Sequence, residues 1–174
     1  MLSLNLARIR TAQERFECDY EPGAFPGTGE GFRVVAPVRL AFDIHKDKDQ
    51  FRLVGGVQAK LELTCGRCLE PFTLPVDAPF DLRYHPHALN TGEGEREVEE
   101  DDLTTAFYTD EAIDLGQLMA EQFYLALPMK PLCSEACQGL CPICGTNRNR
   151  AACLCRSGWE DPRFAGLRKL KADS

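Results

Sequence analysis

Residues 34–44 read Val34-Val35-Ala36-Pro37-Val38-Arg39-Leu40-Ala41-Phe42-Asp43-Ile44, and the apolar side chains fall on even positions: Val34, Ala36, Val38, Leu40, Phe42 and Ile44. A period of two puts one face of a strand into a core and the other into water. After the polar turn Lys46-Asp47-Lys48-Asp49-Gln50 the pattern resumes on odd positions with Phe51, Leu53, Val57, Ala59, Leu61 and Leu63. Arg52, Gln58, Lys60, Glu62 and Thr64 stand opposite. Two such runs around a short polar turn predict a long antiparallel hairpin. A third run, Phe72, Leu74, Val76, Ala78, Phe80, Leu82 and Tyr84, with Thr73, Asp77, Asp81 and Arg83 opposite, extends the hairpin to a meander.

Upstream, Leu2, Leu4 and Leu6 alternate, as do Phe16, Cys18 and Tyr20, so two shorter strands either extend the sheet or curl it toward a barrel. Residues 22–31 read as a loop. Their Gly27-Thr28-Gly29-Glu30-Gly31 run lacks the Lys-Ser/Thr pair and the strand-to-helix setting that a phosphate-cradling loop needs. Downstream, Asp114-Leu115-Gly116-Gln117 fits a capping box, and Leu115, Leu118, Met119, Phe123, Ala126 and Leu127 follow at helical spacing up to Pro128. A helix over 114–127 packed on the sheet is expected. A second short helix is expected from Asp161 to Leu170, with Pro162 at its first position. The fold class is therefore α+β: an antiparallel β meander or partly closed barrel, one packed helix, and a C-terminal zinc-ribbon-like segment. The sheet domain is expected over 1–128 with an acidic linker at 92–102, and a cysteine-rich segment over 129–174 is expected to dock through residues 65–68.

A chain of 174 residues with 44% hydrophobic content can bury one good core. No apolar run approaches the roughly 18 residues of a membrane span. The first basic residues, Arg8 and Arg10, follow a brief alternating stretch instead of preceding an apolar block, so a secretory signal is not expected. A cytoplasmic protein without membrane contact is the expectation. The net charge of −7 is uneven. Residues 93–102 carry Glu93, Glu95, Glu97, Glu99, Glu100, Asp101 and Asp102 against Arg96, seven acids to one base and a net of −6. Residues 128–174 carry eight bases and four acids, a net of +4, so a local basic surface for phosphates is compatible with the overall sign.

Nine cysteines in a reducing compartment are more often metal ligands than disulfides, and the odd count disfavours complete pairing. Cys65-Gly66-Arg67-Cys68 lies where the meander needs a turn, and such a turn aims two thiolates at one tetrahedral zinc. Cys133, Cys137, Cys141, Cys144, Cys153 and Cys155 supply six more sulfurs. The preferred division is Cys65, Cys68, Cys133 and Cys137 for one zinc, with Cys141, Cys144, Cys153 and Cys155 for a second, self-contained ribbon. A cross-braced arrangement, Cys65 and Cys68 with Cys141 and Cys144, stays open. Gly145 after Cys144 lets the backbone turn tightly beside the metal. Closed all-cysteine sites lack the open position of catalytic zinc, so both zinc ions are expected to be structural. A redox role for Cys65 and Cys68 would need a βαβ setting that is absent from this pattern. Cys18, on the apolar parity between Phe16 and Tyr20, reads as a buried core thiol.

His45, His85 and His87 read as surface residues. No Gly-x-Ser-x-Gly, His-Glu-x-x-His or Walker pattern occurs, and the acids gather in a linker instead of forming a catalytic pair. Neither an enzyme nor a small-molecule substrate is expected.

Cys65-Gly66-Arg67-Cys68-Leu69-Glu70-Pro71, Glu121-Gln122-Phe123-Tyr124-Leu125-Ala126-Leu127-Pro128 and Gly139-Leu140-Cys141-Pro142-Ile143-Cys144-Gly145 stand together with Asn147, Asn149, Cys153-Leu154-Cys155 and Asp161-Pro162-Arg163-Phe164-Ala165. In these motifs the chain resembles the YceD-like family of large ribosomal RNA subunit accumulation proteins. Gly66, where the family often has Gln, and Arg148, where an aliphatic residue is common, depart from the pattern. The resemblance implies a non-enzymatic role in accumulation or processing of the large-subunit (23S) ribosomal RNA, with that RNA or a pre-ribosomal particle as partner. The residues themselves offer a basic surface for RNA phosphates: Arg67 on the first zinc turn, and Arg148, Arg150, Arg156, Arg163, Arg168 and Lys169 around the second. Only Trp159 and Phe164 could add stacking, so base-specific recognition is not expected. In the competing reading, residues 93–102 dock a basic ribosomal protein and zinc merely stabilises the fold.

Overall fold

The expected hairpin is the centre of the fold in the computed structural model, which describes residues 2–25, 31–87 and 105–155. Strands β4 (Val38–Asp47) and β5 (Gln50–Thr64) pair antiparallel from Asp47↔Gln50 to Arg39↔Gln58, around a two-residue turn with Lys48 at φ 55°. Strand β6 (Pro71–Pro86) pairs with β5 from Phe51↔Tyr84 to Thr64↔Pro71 and completes the meander. The run at 34–44 is not one strand. β3 (Phe32–Val34) pairs with the far end of β5, Val34↔Leu61, and β4 takes over after Pro37, which has no N–H to give a ladder.

Of the two upstream runs, residues 16–20 join the sheet. β2 (Gln13–Tyr20) pairs antiparallel with β4 from Gln13↔His45 to Tyr20↔Val38. The leucine run forms β1 (Ser3–Asn5), which pairs with β8 (Ala112–Asp114) in a separate two-stranded sheet. One strand departs from a wholly antiparallel meander: β7 (Thr105–Tyr108) lies parallel to β6, with Arg83 opposite Thr105. The main sheet runs β2-β4-β5-β6-β7, with β3 also on β5, and is open among the described residues, so the barrel alternative is not realised. Pro71, Pro75 and Pro79 of β6 share one parity, so their missing N–H groups face the edge that, among the described residues, short β7 leaves unpaired, and they disfavour edge-to-edge pairing.

The alternation works as read, with Val38, Leu40, Phe42, Ile44, Leu53, Val57 and Leu61 buried on one face. Each such side chain contributes about 1.5–3 kcal/mol of burial. A cross-strand row joins Phe16, Phe42, Gly55 and Phe80. Phe16 stacks on Phe42 at 5.3 Å, and Phe42 lies 6.3 Å from Phe80. Glycine is required between them, because a Cβ at position 55 would lie 2.5 Å from Phe42 Cα. Helix α1 (Leu115–Ala126) covers this face through buried Leu115, Leu118, Met119 and Phe123, with the Phe123 ring 6.0 Å from both Phe25 and Phe32. Asp114 Oδ1 accepts from the Gln117 N–H at 3.0 Å, but the Gln117 side chain reaches forward to Glu121 at 2.9 Å, so one half of the capping box forms.

Two burial expectations are corrected. Cys18 is exposed and not a core thiol: its parity is right, but β2 is an edge strand whose neighbours Phe16 and Tyr20 are themselves only half-buried. Ala126 is exposed because the chain leaves helical geometry at Leu127 and the last turn projects past the sheet. The acidic stretch 92–102, the second helix expected at 161–170, Trp159, and positions 27–30 of the glycine run lie outside the described residues. No helix among the described residues is long and apolar enough to cross a membrane.

Candidate metal centres

Each C-x-x-C pair sits on the same backbone device. At residues 65–70 the Leu69 N–H donates to the Cys65 carbonyl at 2.9 Å and the Cys65 N–H donates to the Glu70 carbonyl at 2.9 Å. At residues 141–146 the Gly145 N–H donates to the Cys141 carbonyl at 2.9 Å and the Cys141 N–H to the Thr146 carbonyl at 2.8 Å. Both turns need a left-handed residue at the fifth position, with φ 74° at Gly145 and φ 59° at Leu69. Glycine adopts that conformation freely, whereas leucine is strained there by about 1–2 kcal/mol. The C-x-x-C spacing marked the first turn in the sequence, but its left-handed fifth position, held by Leu69 where the second turn has Gly145, carried no glycine signal.

These turns and the following segment gather eight sulfurs into two sets, Cys65, Cys68, Cys133 and Cys137, and Cys141, Cys144, Cys153 and Cys155. Within each set all Sγ atoms lie within 4.8 Å of one another, and all nine cysteines are free of disulfides. Cys65 Sγ lies 3.8 Å from Cys137 Sγ, and Cys68 Sγ lies 3.7 Å from Cys133 Sγ. Four sulfurs at about 2.3 Å from a central ion stand about 3.8 Å apart along each tetrahedral edge, against about 2.05 Å for a disulfide. The spacing fits a tetrahedral thiophilic ion. Cys65, Cys68 and Cys137 are buried, whereas Cys144 and Cys155 are exposed, so the second set is the more accessible.

The two sets are coupled. Arg67, between Cys65 and Cys68, donates from Nη1 to the carbonyls of Glu135 at 3.1 Å and Cys137 at 2.9 Å, and its own carbonyl accepts from the Leu140 N–H at 3.1 Å. Gly139 is pressed against it, at φ 70° with space for a Cβ only 3.0 Å from that carbonyl oxygen. Asn149, between the ligand pairs of the second set, donates from Nδ2 to Cys137 Sγ of the first at 3.3 Å. Its Oδ1 accepts from the Gln138 N–H at 2.8 Å, and Asn147 Oδ1 accepts its backbone N–H at 3.0 Å.

The profile of the family described as "Large ribosomal RNA subunit accumulation protein YceD" matches residues 53–171, which span both sulfur sets and the meander strands that carry the first turn. The chain belongs to the YceD family. Among curated relatives, the chloroplastic "Large ribosomal RNA subunit accumulation protein YCED homolog 1" of Zea mays is 25% identical over 173 residues, 86% of this chain and 57% of the relative. The protein of the same name from Arabidopsis thaliana is 27% identical over 162 residues, 78% of this chain and 49% of the relative. An uncharacterized protein of Mycobacterium tuberculosis is 34% identical over 94 residues, 53% of this chain and 42% of the relative. The chain thus spans about half the length of the curated relatives it matches. No solved structure matches it. The family description ties its members to large-subunit ribosomal RNA accumulation.

In this YceD chain the local electrostatics divide each sulfur set into acidic and basic members. The N–H groups of Cys68 and Cys133 hold the Cys65 thiol down at about 6, and the Thr146 hydroxyl and N–H do the same for Cys144, also at about 6. The Cys144 and Ile143 N–H groups lower Cys141. Burial pushes Cys137 upward, but the Asn149 amide and the Gly139 N–H outweigh it and leave that thiol lowered. Cys133, hydrogen-bonded to Cys137, and Cys155, hydrogen-bonded to Cys144, are pushed up to about 12. Cys153 is raised by Cys141; at Cys68 the Glu70 N–H pulls downward, and burial with Cys65 overrides it. A dication would meet two favoured thiolates in each set.

Of the expected basic surface, Arg148 and Arg150 line a shallow polar cavity of about 270 Å³ with Gln138, Asn149 and Cys153. Arg150 pairs with Glu70 of the first knuckle at 2.9 Å, and Arg67 is engaged with the carbonyls already named. Arg156, Arg163, Arg168 and Lys169 lie outside the described residues. Asn149, part of the YceD motif, was not expected to touch a sulfur; its place in that motif was the available signal.

Proposed function

We propose that this YceD-family chain is a cytoplasmic, non-enzymatic ribosome biogenesis factor that holds structural zinc in both four-cysteine sets. It supports accumulation or processing of large-subunit ribosomal RNA by binding that RNA, or a pre-ribosomal particle, through its basic C-terminal region. The observation that carries the reading is the pair of coupled four-sulfur clusters on the segment that also concentrates positive charge. Zinc fits because four thiolates close its shell, which stabilises the segment and leaves no position for a hydrolytic water. The sheet region, 1–128, is the scaffold, and 129–174, anchored at 65–68, is the binding module. Phosphate contacts need positive charge, and 128–174 has four more bases than acids, whereas 1–92 has eleven bases against twelve acids.

Replacing Arg148, Arg150, Arg168 and Lys169 with Gln tests this. Affinity for large-subunit ribosomal RNA should fall and its salt dependence flatten by about 0.7–0.9 in log–log slope for each phosphate that is no longer neutralised, with metal content unchanged. Unchanged affinity and slope would remove this surface and favour docking of a basic ribosomal protein on residues 93–102.

A further inference from the structure

The two sulfur sets differ in what solvent can reach. In the first, Cys65, Cys68 and Cys137 are buried and Cys133 alone is exposed; in the second, Cys144 and Cys155 are exposed, Cys153 is half-buried and only Cys141 is buried. We infer that the second set is a site of reversible oxidation by hydrogen peroxide, which joins Cys144 to Cys155 and expels the metal of that set while the first set keeps its own. This rests on the reading that metal fills both sets, and adds a modification that tells them apart.

Oxidation of a cysteine needs a thiolate that the oxidant can touch and a second sulfur within reach to resolve the product. Metal coordination supplies thiolates in both sets, so access and freedom of movement decide. Cys144 meets both conditions: it is exposed, its Sγ lies 3.2 Å from Thr146 Oγ1, and Cys155 Sγ, exposed as well, lies within 4.8 Å of it. A disulfide requires that gap to close to about 2.05 Å. The backbone carrying Cys155 can move, because residues 152–155 make no backbone–backbone hydrogen bond to another described residue. The first set lacks this freedom. Cys68 Sγ, 3.7 Å from Cys133 Sγ, is buried, and Arg67 ties down the carbonyls of Glu135 and Cys137. The Cys137 N–H is held by the Ser134 carbonyl at 3.0 Å.

The oxidation balances in two stages. The Cys144 thiolate attacks one peroxide oxygen, so that an S–O bond forms, the O–O bond breaks and hydroxide leaves. The Cys155 thiolate then attacks the sulfenic sulfur, forms the S–S bond and expels a second hydroxide. The two sulfurs lose two electrons, the peroxide gains them, and each hydroxide takes up a proton to become water. Cys141 and Cys153 are left as the remaining thiolates, too few for a closed tetrahedral shell.

The test uses the full-length, zinc-loaded protein carrying Cys18→Ser, which removes the exposed cysteine outside both sets. Hydrogen peroxide is added, released zinc is followed with a chromophoric indicator, and the remaining thiols are alkylated and mapped by mass spectrometry. Loss of one of the two ions is expected together with a disulfide between Cys144 and Cys155, and dithiothreitol with added zinc should restore the starting state. Retention of both ions, release of both together, or a disulfide at any other pair overturns the inference and leaves the two-ion reading standing. Fewer than two ions bound before peroxide is added overturns that reading, and the inference with it.

Discussion

Asn149 Nδ2 lies 3.3 Å from Cys137 Sγ, so a side chain from within the second sulfur set caps a sulfur of the first. A hydrogen bond to a thiolate stabilises its charge and orients it, and such supporting interactions are commonly worth 10–100-fold in metal affinity. The second set, which groups its own four sulfurs, is thereby also a structural partner of the buried site.

Asn149→Ala should therefore weaken metal binding at Cys65, Cys68, Cys133 and Cys137 by about 10–100-fold while every cysteine is retained. Competition with a chromophoric chelator measures this. Equal affinity in the variant and the parent protein would show the bond to be incidental.

Cys68→Ser should damage folding more broadly than Cys155→Ser. Cys68 is buried at the junction of β5 and β6, whereas Cys155 is exposed at the edge of the second set. Hydrogen exchange across residues 50–86 should rise in the first variant and stay near the parent level in the second. Equal loss of protection in both would put the two sites in one cooperative unit.

The left-handed residues of the two knuckles should respond in opposite directions. Leu69 is 61% exposed at φ 59°, so Leu69→Gly sacrifices little burial and relieves strain, and a gain of up to about 1 kcal/mol is expected. Gly145→Ala has open space for its Cβ but keeps φ 74°, so a loss of about 1–2 kcal/mol is expected. Thermal unfolding of the metal-loaded forms compares them; a neutral Gly145→Ala would contradict the strain account.

Metal uptake should release protons, and the sign is fixed by the thiols. Cys68, Cys133, Cys153 and Cys155 lie above the ordinary thiol value in the ion-free arrangement, so at pH 7 they carry protons that a metal must displace. At least two protons per site are expected, and affinity should rise with pH through the neutral range. Calorimetry in buffers of different ionisation enthalpy counts them, and a pH-independent affinity would refute the assignment.

The alternation from Val34 to Tyr84 was legible because burial on one sheet face imposes a period of two whatever the partner strand. That reading did not show the break at Pro37 or the parallel placing of β7, because pairing direction depends on where the chain returns and not on side-chain period. Cys18 failed for a related reason: parity tells which face a residue takes, and only the neighbouring strands decide whether that face is covered.

By itself the sequence determined the local chemistry: the strands, the Asp114 cap, and the turns that bring Cys65 beside Cys68 and Cys141 beside Cys144, because these depend on residues a few positions apart. Only the tertiary structure decided that Cys65 and Cys68 meet Cys133 and Cys137 instead of Cys141 and Cys144, and that His45, Arg52 and Arg83 share one row. Spacing along a chain carries no record of which distant groups meet. Strand register and the bonds of Arg67 to the 135–140 backbone set those meetings, and register is a property of the whole sheet.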